Sequence, residues 1–255
     1  MRLGFVGTGA ITSAIVKGLA GSSIADWPVF VSPRGRAIAT ELAAAMPSVH
    51  VAADNQDVVD QSDMVFLAIR PQIAPEVISR LAFRNGQYVV SLVAGLSIPA
   101  LKSLISANVE ITRSIPLPSV ETRACATPIL PPNSAVAAVF DALGSSIGVS
   151  SAVEFDGYVA GSAMMATYFR IVDTMVKWME ASGLNATDAD AYARGLFGNL
   201  GDVLRARPDL TLDELRAGHT TIGGLNEMVH DHFEAAGGAK ALAAGLDAVL
   251  AKVRA

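Results

Sequence analysis

The sequence predicts a two-part α/β protein. A parallel sheet with helices on both faces is expected over residues 1–148, and an all-helical domain over residues 151–255. Three observations carry this. Short apolar runs alternate with stretches of helical periodicity through the first half, the pattern of successive βαβ units. Extended β-branched runs stop near Gly148, and Ala- and Leu-rich segments take over. The chain is 51% hydrophobic but only 6% aromatic, so its apolar content is mostly small and aliphatic, which suits helices packed on a buried sheet.

Taken in order, Arg2–Val6 is a short apolar strand running into Gly7. Ala10–Leu19 places Ile11, Ala14, Ile15, Gly18 and Leu19 at helical spacing. Val29–Val31 is a second strand, stopped by Ser32-Pro33, and Ala37–Ala45 is a helix with Pro47 just past its end. Val49–Ala52 is a third strand. Met64–Ile69 is a continuous apolar run, as expected of a parallel strand buried on both faces, and it ends before Pro71. Tyr88–Val93 and Glu110–Ile115 are two more strands. In the second part, Ser151-x-x-Glu154 and Thr211-x-x-Glu214 are capping-box patterns that open helices, and Asp188–Leu204 and Gly238–Val253 have helical composition. This part is short, and small-residue faces such as Ala160–Ala163 point to packing against a partner chain.

Composition removes several classes of function. The apolar content is ample to offset ordering entropy, so disorder is excluded. A net charge of −5 argues against a general nucleic-acid binder. Cys125 is the only cysteine, which rules out an intrachain disulfide and a cysteine-based zinc site and is compatible with a reducing compartment. His230 and His232 are two apart and point to different sides of a helix, so no metal site is expected. Leu3–Ala20 superficially resembles a signal peptide, but Gly7-Thr8-Gly9 and Lys17 interrupt it; Tyr88–Leu101 is too short to span a membrane. The expectation is a soluble, cytoplasmic protein.

The first strand leads into Gly7-Thr8-Gly9-Ala10-Ile11-Thr12-Ser13-Ala14, a G-x-G-x-x-T-x-A pattern. Gly7 permits a tight turn, Gly9 allows close approach of a pyrophosphate, and the helix start offers unpaired N–H groups. Thr12 stands where the full fingerprint has a third glycine. The context after a first strand reads as a Rossmann-like dinucleotide-binding domain. At the end of the second strand, where a carboxylate would select NAD, the residues are Ser32-Pro33-Arg34-Gly35-Arg36. Two guanidiniums and no acid favour NADP over NAD, because a planar fork of donors matches a phosphate. A solvated basic loop is the competing reading.

These residues resemble the pyrroline-5-carboxylate reductase family. Gly7–Ile15, Phe66-Leu67-Ala68-Ile69-Arg70-Pro71-Gln72, Ser91-Leu92-Val93-Ala94-Gly95 and Thr220-Thr221-Ile222-Gly223-Gly224-Leu225 occur in family order and at family-like spacing across almost the whole chain. The resemblance implies NAD(P)H-dependent reduction of a cyclic imino acid. It also implies a dinucleotide-binding domain, and a helical domain that makes a dimer with active sites between subunits. By resemblance, Gly7, Thr8, Gly9, Ala10, Ile11, Ser32, Arg34, Asn55, Ala68, Arg70, Pro71, Ala94 and Gly95 line the cofactor. Gly218, Thr220, Thr221 and Ser162 belong to the substrate, its carboxylate held by the Gly218–Thr221 turn. The chain departs from the family at Ile115–Ser119, Ala160–Ala166 and Arg216–Thr221, all at the substrate end.

Thr221 and His219 are the candidate catalytic residues. Thr221 is placed to orient the imine nitrogen, or else to cap a helix over Ile222–Glu234. His219 is either a proton donor or a loop histidine without a role. Ser162, among small residues, also fits close helix packing, and Met164, Met165 and Met175 read as filler. Two alternatives stay open: a hydroxy-acid dehydrogenase using Lys177 beside Trp178, and a non-catalytic NADP-binding regulator.

Overall fold

A computed structural model describes residues 1–254. The chain divides into two compact units, Met1–Val159 and Ala160–Ala255.

The first unit is an eight-stranded sheet in the order β3-β2-β1-β4-β5-β6-β7-β8. Its strands are β1 (Leu3–Val6), β2 (Val29–Val31), β3 (Val49–Val51), β4 (Met64–Leu67), β5 (Tyr88–Ser91), β6 (Glu110–Ser114), β7 (Cys125–Leu130) and β8 (Gly144–Gly148). Neighbours are parallel except β6 and β7, where Arg113 faces Leu130 across an antiparallel pair. The helices between them are α1 (Ala10–Ala20), α2 (Arg36–Ala45), α3 (Asn55–Gln61), α4 (Ala74–Ser79), α5 (Ile98–Leu104) and α6 (Ser134–Asp141), with a 3-10 turn at Pro118–Thr122.

Residue alternation divides the core between the two faces of the sheet. Leu3, Phe5, Met64 and Phe66 pack on one side with Ile15, Leu19 and Phe140. There Phe5 and Phe66 stack at 4.7 Å, and Phe140 meets Phe66 edge-on at 6.3 Å. Val6, Val65, Leu67 and Val89 pack on the other side with Val58, Ile78 and Leu101. Both faces of β1 and β4 are fully buried, which is why these strands read as unbroken apolar runs.

Two strands were not anticipated. β7 contains Pro128, and β8 reads Gly-Ser-Ser-Ile-Gly, so neither has the composition of a strand. They form because five successive residues of each pair in register, Cys125 with Gly144 through Ile129 with Gly148.

The second part is helical: α7 (Ala152–Ser162), α8 (Met165–Ala181), α9 (Ala186–Ala206), α10 (Leu212–Gly218), α11 (Leu225–Ala235) and α12 (Gly238–Arg254). Thr211 and Glu214 complete the capping box of α10. At α7, the Ser151 hydroxyl accepts from Glu154 N, while the Glu154 carboxylate accepts from Ser150 N. The division between units falls inside α7, later than the 148–151 junction read from sequence. The reason is Phe155, which is buried against Leu130 and Val149 of the first unit, with the Arg113 guanidinium 4.6 Å above its ring.

Candidate functional site

In a doubly wound sheet, ligands bind beyond the carboxyl ends of the strands where the order reverses. That point lies here between β1 and β4. The segments leaving β1, β4 and β5 at this edge are Gly7–Gly9, Ala68–Pro71 and Ala94–Gly95. Arg70, Pro71, Ala94 and Gly95 are exposed, and Ala68 is half-buried.

The two glycines of the first loop do different work. Gly7 has φ +104°, and a methyl group on it would lie 2.4 Å from the Ala68 carbonyl oxygen. Gly9 has ordinary extended geometry as N-cap of α1, with φ −107°, and a methyl group there would meet no atom within 4 Å. No side chain caps α1, so its first N–H groups remain available to an anion. Ala10 is exposed and Ile11 half-buried at this helix start. The Thr12 hydroxyl donates to the Gly7 carbonyl at 2.7 Å, so the residue that breaks the glycine fingerprint pins the turn instead.

Ser32 is completely buried. Its hydroxyl accepts from Gly7 N at 3.0 Å, and its carbonyl accepts from the Thr8 hydroxyl at 2.7 Å. The side chains of Thr8 and Ser32 therefore tie the first loop to the end of β2. The exposed residues of the β2–α2 turn are Pro33, Arg34, Gly35 and Arg36. Gly35 has φ +89°, and a methyl group on it would strike the Thr8 carbonyl oxygen at 2.2 Å. Asn55, half-buried, is the first residue of α3, just after its capping Asp54.

In the helical unit, the expected substrate residues gather in one turn, apart from Ser162, which ends α7. His219 is the C-cap of α10 and is exposed; its Nδ1 lies 2.8 Å from the Leu215 carbonyl oxygen. The Thr220 hydroxyl donates to the Arg216 carbonyl at 2.7 Å. Thr221 opens a tight turn that closes with Gly224 N donating to Thr221 O at 2.8 Å and has Gly223 at φ +71°. Helix α11 consequently starts at Leu225 with Gly224 as its cap, so Thr221 is not the N-cap of a helix over Ile222–Glu234. Gly223 N donates instead to the Glu227 carboxylate at 2.5 Å. The Thr221 hydroxyl and the N–H groups of Thr221 and Ile222 bond to no group among the described residues. Sequence reasoning missed Asn226, whose amide donates to the His219 carbonyl at 2.7 Å and fixes the backbone of the turn.

Lys177 is exposed and pairs with Asp173 at 2.8 Å; Asp173 also takes Arg170 at 2.9 Å. The Lys177 hydrogen bond, ahead of the other contacts, holds the Asp173 carboxyl below its ordinary range. Among the described residues there is no group of three metal-ligating side chains and no helix long and apolar enough to cross a membrane.

Residues 2–95 match the family model described as NADP oxidoreductase, coenzyme F420-dependent. The chain is 26% identical over 251 residues to pyrroline-5-carboxylate reductase 2 of Bacillus subtilis, covering 92% of this chain and 89% of that protein. Its fold is shared with the crystal structure of 1-pyrroline-5-carboxylate reductase from Streptococcus pyogenes, at a TM-score of 0.84 and 22% identity over 99% of this chain and 98% of that one. It is also shared with the Plasmodium falciparum pyrroline carboxylate reductase crystallised with NADP bound, at a TM-score of 0.80 and 16% identity over 99% and 97% of the two chains. From end to end, then, the chain resembles the pyrroline-5-carboxylate reductases.

Proposed function

We propose that the chain is an NADPH-dependent reductase of a cyclic imine, pyrroline-5-carboxylate or a related imino acid, that acts in the cytoplasm as a homodimer. The observation that carries this is the set of strand-end loops at β1, β4 and β5, where the strand order reverses, in a chain that resembles such reductases throughout. The geometry of the first loop supports a dinucleotide there. Gly9 leaves open the space a side chain would fill, and the uncapped start of α1 presents N–H groups to a pyrophosphate. Arg34 and Arg36 are exposed beside it to take a ribose phosphate, which supports NADPH over NADH. Bound NADPH would supply hydride to the imine carbon.

The remaining work falls to the helical unit. The N–H groups of Thr221 and Ile222 are donors for a substrate carboxylate, with Gly218 and Thr220 framing the turn. The free Thr221 hydroxyl orients the imine nitrogen. Such positioning supplies much of the rate in a reaction that needs no covalent intermediate.

The homodimer rests on the makeup of the helical unit. Among its described residues the buried apolar side chains are Ala160, Met179, Ala189 and Ala193, too few to hold five helices. Ile222 is 94% exposed, Leu225 81% and Phe169 67%. Met164, Ile171, Phe233, Leu242, Leu246 and Val249 line a groove of about 380 Å³. Apolar surface on this scale marks an interface, and a second copy of the chain covers it.

The deciding assay is NADPH oxidation with pyrroline-5-carboxylate, other cyclic imines and 2-oxo acids. Turnover with imines is expected. Turnover with 2-oxo acids alone would favour the hydroxy-acid dehydrogenase, and NADPH binding without any turnover would favour a regulator.

A further inference from the structure

We infer that His219 is the acid that protonates the substrate nitrogen, and that it does so from Nε2. The inference rests on the imine-reductase reading above and names the proton donor of that site. A carbonyl oxygen can only accept, so the 2.8 Å contact between His219 Nδ1 and Leu215 O requires a hydrogen on Nδ1 in both charge states of the ring. The proton that comes and goes is therefore the one on Nε2. The same bond holds the ring over the last turn of α10. The backbone beneath it is held twice more, by His219 N to Arg216 O at 3.2 Å and by the Asn226 amide to His219 O at 2.7 Å. Nε2 has no partner among the described residues and the side chain is exposed. Two residues on stand the unbonded Thr221 hydroxyl and the unbonded N–H groups proposed for the carboxylate. The charged residues nearest in sequence on either side are already engaged: Arg216 with Asp213, and Glu227 on Gly223 N.

In the step, the C=N carbon gains the hydride of NADPH and the nitrogen gains the Nε2 proton. The Nε2–H bond breaks and an amine N–H bond forms. The ring is left neutral with its hydrogen on Nδ1, the cofactor is left oxidised, and solvent returns the proton to Nε2. Asn226 is a positioning residue that keeps the ring at the turn.

Two measurements on the whole 255-residue chain test this. His219→Asn keeps an amide N–H to replace Nδ1–H at Leu215 O but has no acid. It should lower kcat for an accepted imine about 10²–10⁴-fold with NADPH Kd unchanged. Separately, long-range ¹H–¹⁵N NMR should show the neutral His219 ring, identified by its loss in His219→Asn, protonated on Nδ1, the tautomer that is minor for a free histidine. Asn226→Ala should reduce kcat less than His219→Asn and raise the share of the Nε2-protonated tautomer. A wild type that oxidises NADPH with imines while His219→Asn stays within twofold of it overturns this assignment alone, as does an Nε2–H tautomer in the wild type. A wild type inactive on every imine overturns the underlying reading and the assignment with it.

Discussion

The two glycines of the β1–α1 loop allow folding and binding to be separated by one methyl group each. Gly7→Ala places Cβ 2.4 Å from the Ala68 carbonyl oxygen and 2.9 Å from the Ile69 side chain, at φ +104°. A non-glycine residue at positive φ costs about 1–2 kcal/mol, and displacing a backbone carbonyl adds a similar amount, so about 2–4 kcal/mol of stability is lost. For a protein of this size that corresponds to roughly 5–15 °C in Tm. Gly9→Ala meets no atom within 4 Å and has φ −107°, which alanine adopts freely. The poorer cap is offset by a less flexible unfolded chain, so Tm should stay within about 2 °C. If the pyrophosphate lies against Gly9, its methyl group occupies the ligand's space, and NADPH Kd should rise about 10–100-fold, or 1.4–2.7 kcal/mol. Thermal melts and NADPH titration of both variants decide the matter. A Gly9→Ala protein that binds NADPH within twofold of wild type refutes the cradle. A Gly7→Ala protein with unchanged Tm refutes the steric account of the loop.

Arg34→Ala should cost about 1–3 kcal/mol of NADPH binding and leave NADH binding unchanged; equal loss for both cofactors in titration would remove the phosphate from this loop. Phe155→Ala in the full chain should cost about 3–5 kcal/mol in urea unfolding, because its ring is buried between Leu130, Val149 and Arg113, and a loss under about 1 kcal/mol would contradict the packing of Phe155 within the first unit. Light scattering should show a dimer at micromolar concentration and a monomer for Phe169→Asp; a monomeric wild type would rule out the proposed interface. The hydrogen bond from Arg2 lowers the Asp63 pKa, so its stabilisation is fully present above the unfolded pKa of about 4 and is lost as pH falls through the folded value. Asp63 is partly exposed, so Asp63→Asn should cost under about 1 kcal/mol at pH 7 and progressively less as the pH falls below about 4; a gap between the two proteins that does not narrow in acid would assign the effect to something other than ionisation.

Much of the first unit was legible because its central strands, β1 and β4, are buried on both faces. Leu3–Val6 and Met64–Leu67 are enclosed on both sides and so read as apolar runs, and Gly7 answers to a positive φ and the nearby Ala68 carbonyl. Elements held by tertiary pairing were not legible. β8 is a strand only because β7 lies beside it, and the short helices α3 to α6 carry too few turns to show a period. The direction of a small polar side chain was also invisible. Nothing in the sequence tells that the Ser32 hydroxyl is turned toward Gly7 N. Likewise Thr12 reads as a defect in a fingerprint, although its hydroxyl closes the turn that a glycine would only permit. In the helical unit the caps at Thr211 and Ser151 were legible from local spacing, whereas the turn at Thr221–Gly224 depends on a positive φ at Gly223 and on Glu227 reaching back to its N–H.

The lock among Gly7, Thr8, Ser32 and Gly35 bears on how the proposed cofactor preference could be changed. The end of β2 is where an acidic residue would select NAD, but position 32 lies in the interior, under the loop proposed to receive a pyrophosphate. A carboxylate put there would be desolvated and too large for the space beside Gly7 N and the Thr8 hydroxyl, and would push the two loops apart, so one substitution would weaken both cofactors together. Re-specification must instead travel through the exposed positions 34 and 36, where charge can be exchanged without touching the lock. Selection and engineering therefore meet a rigid hinge-pin at one residue and an open dial two and four residues further on.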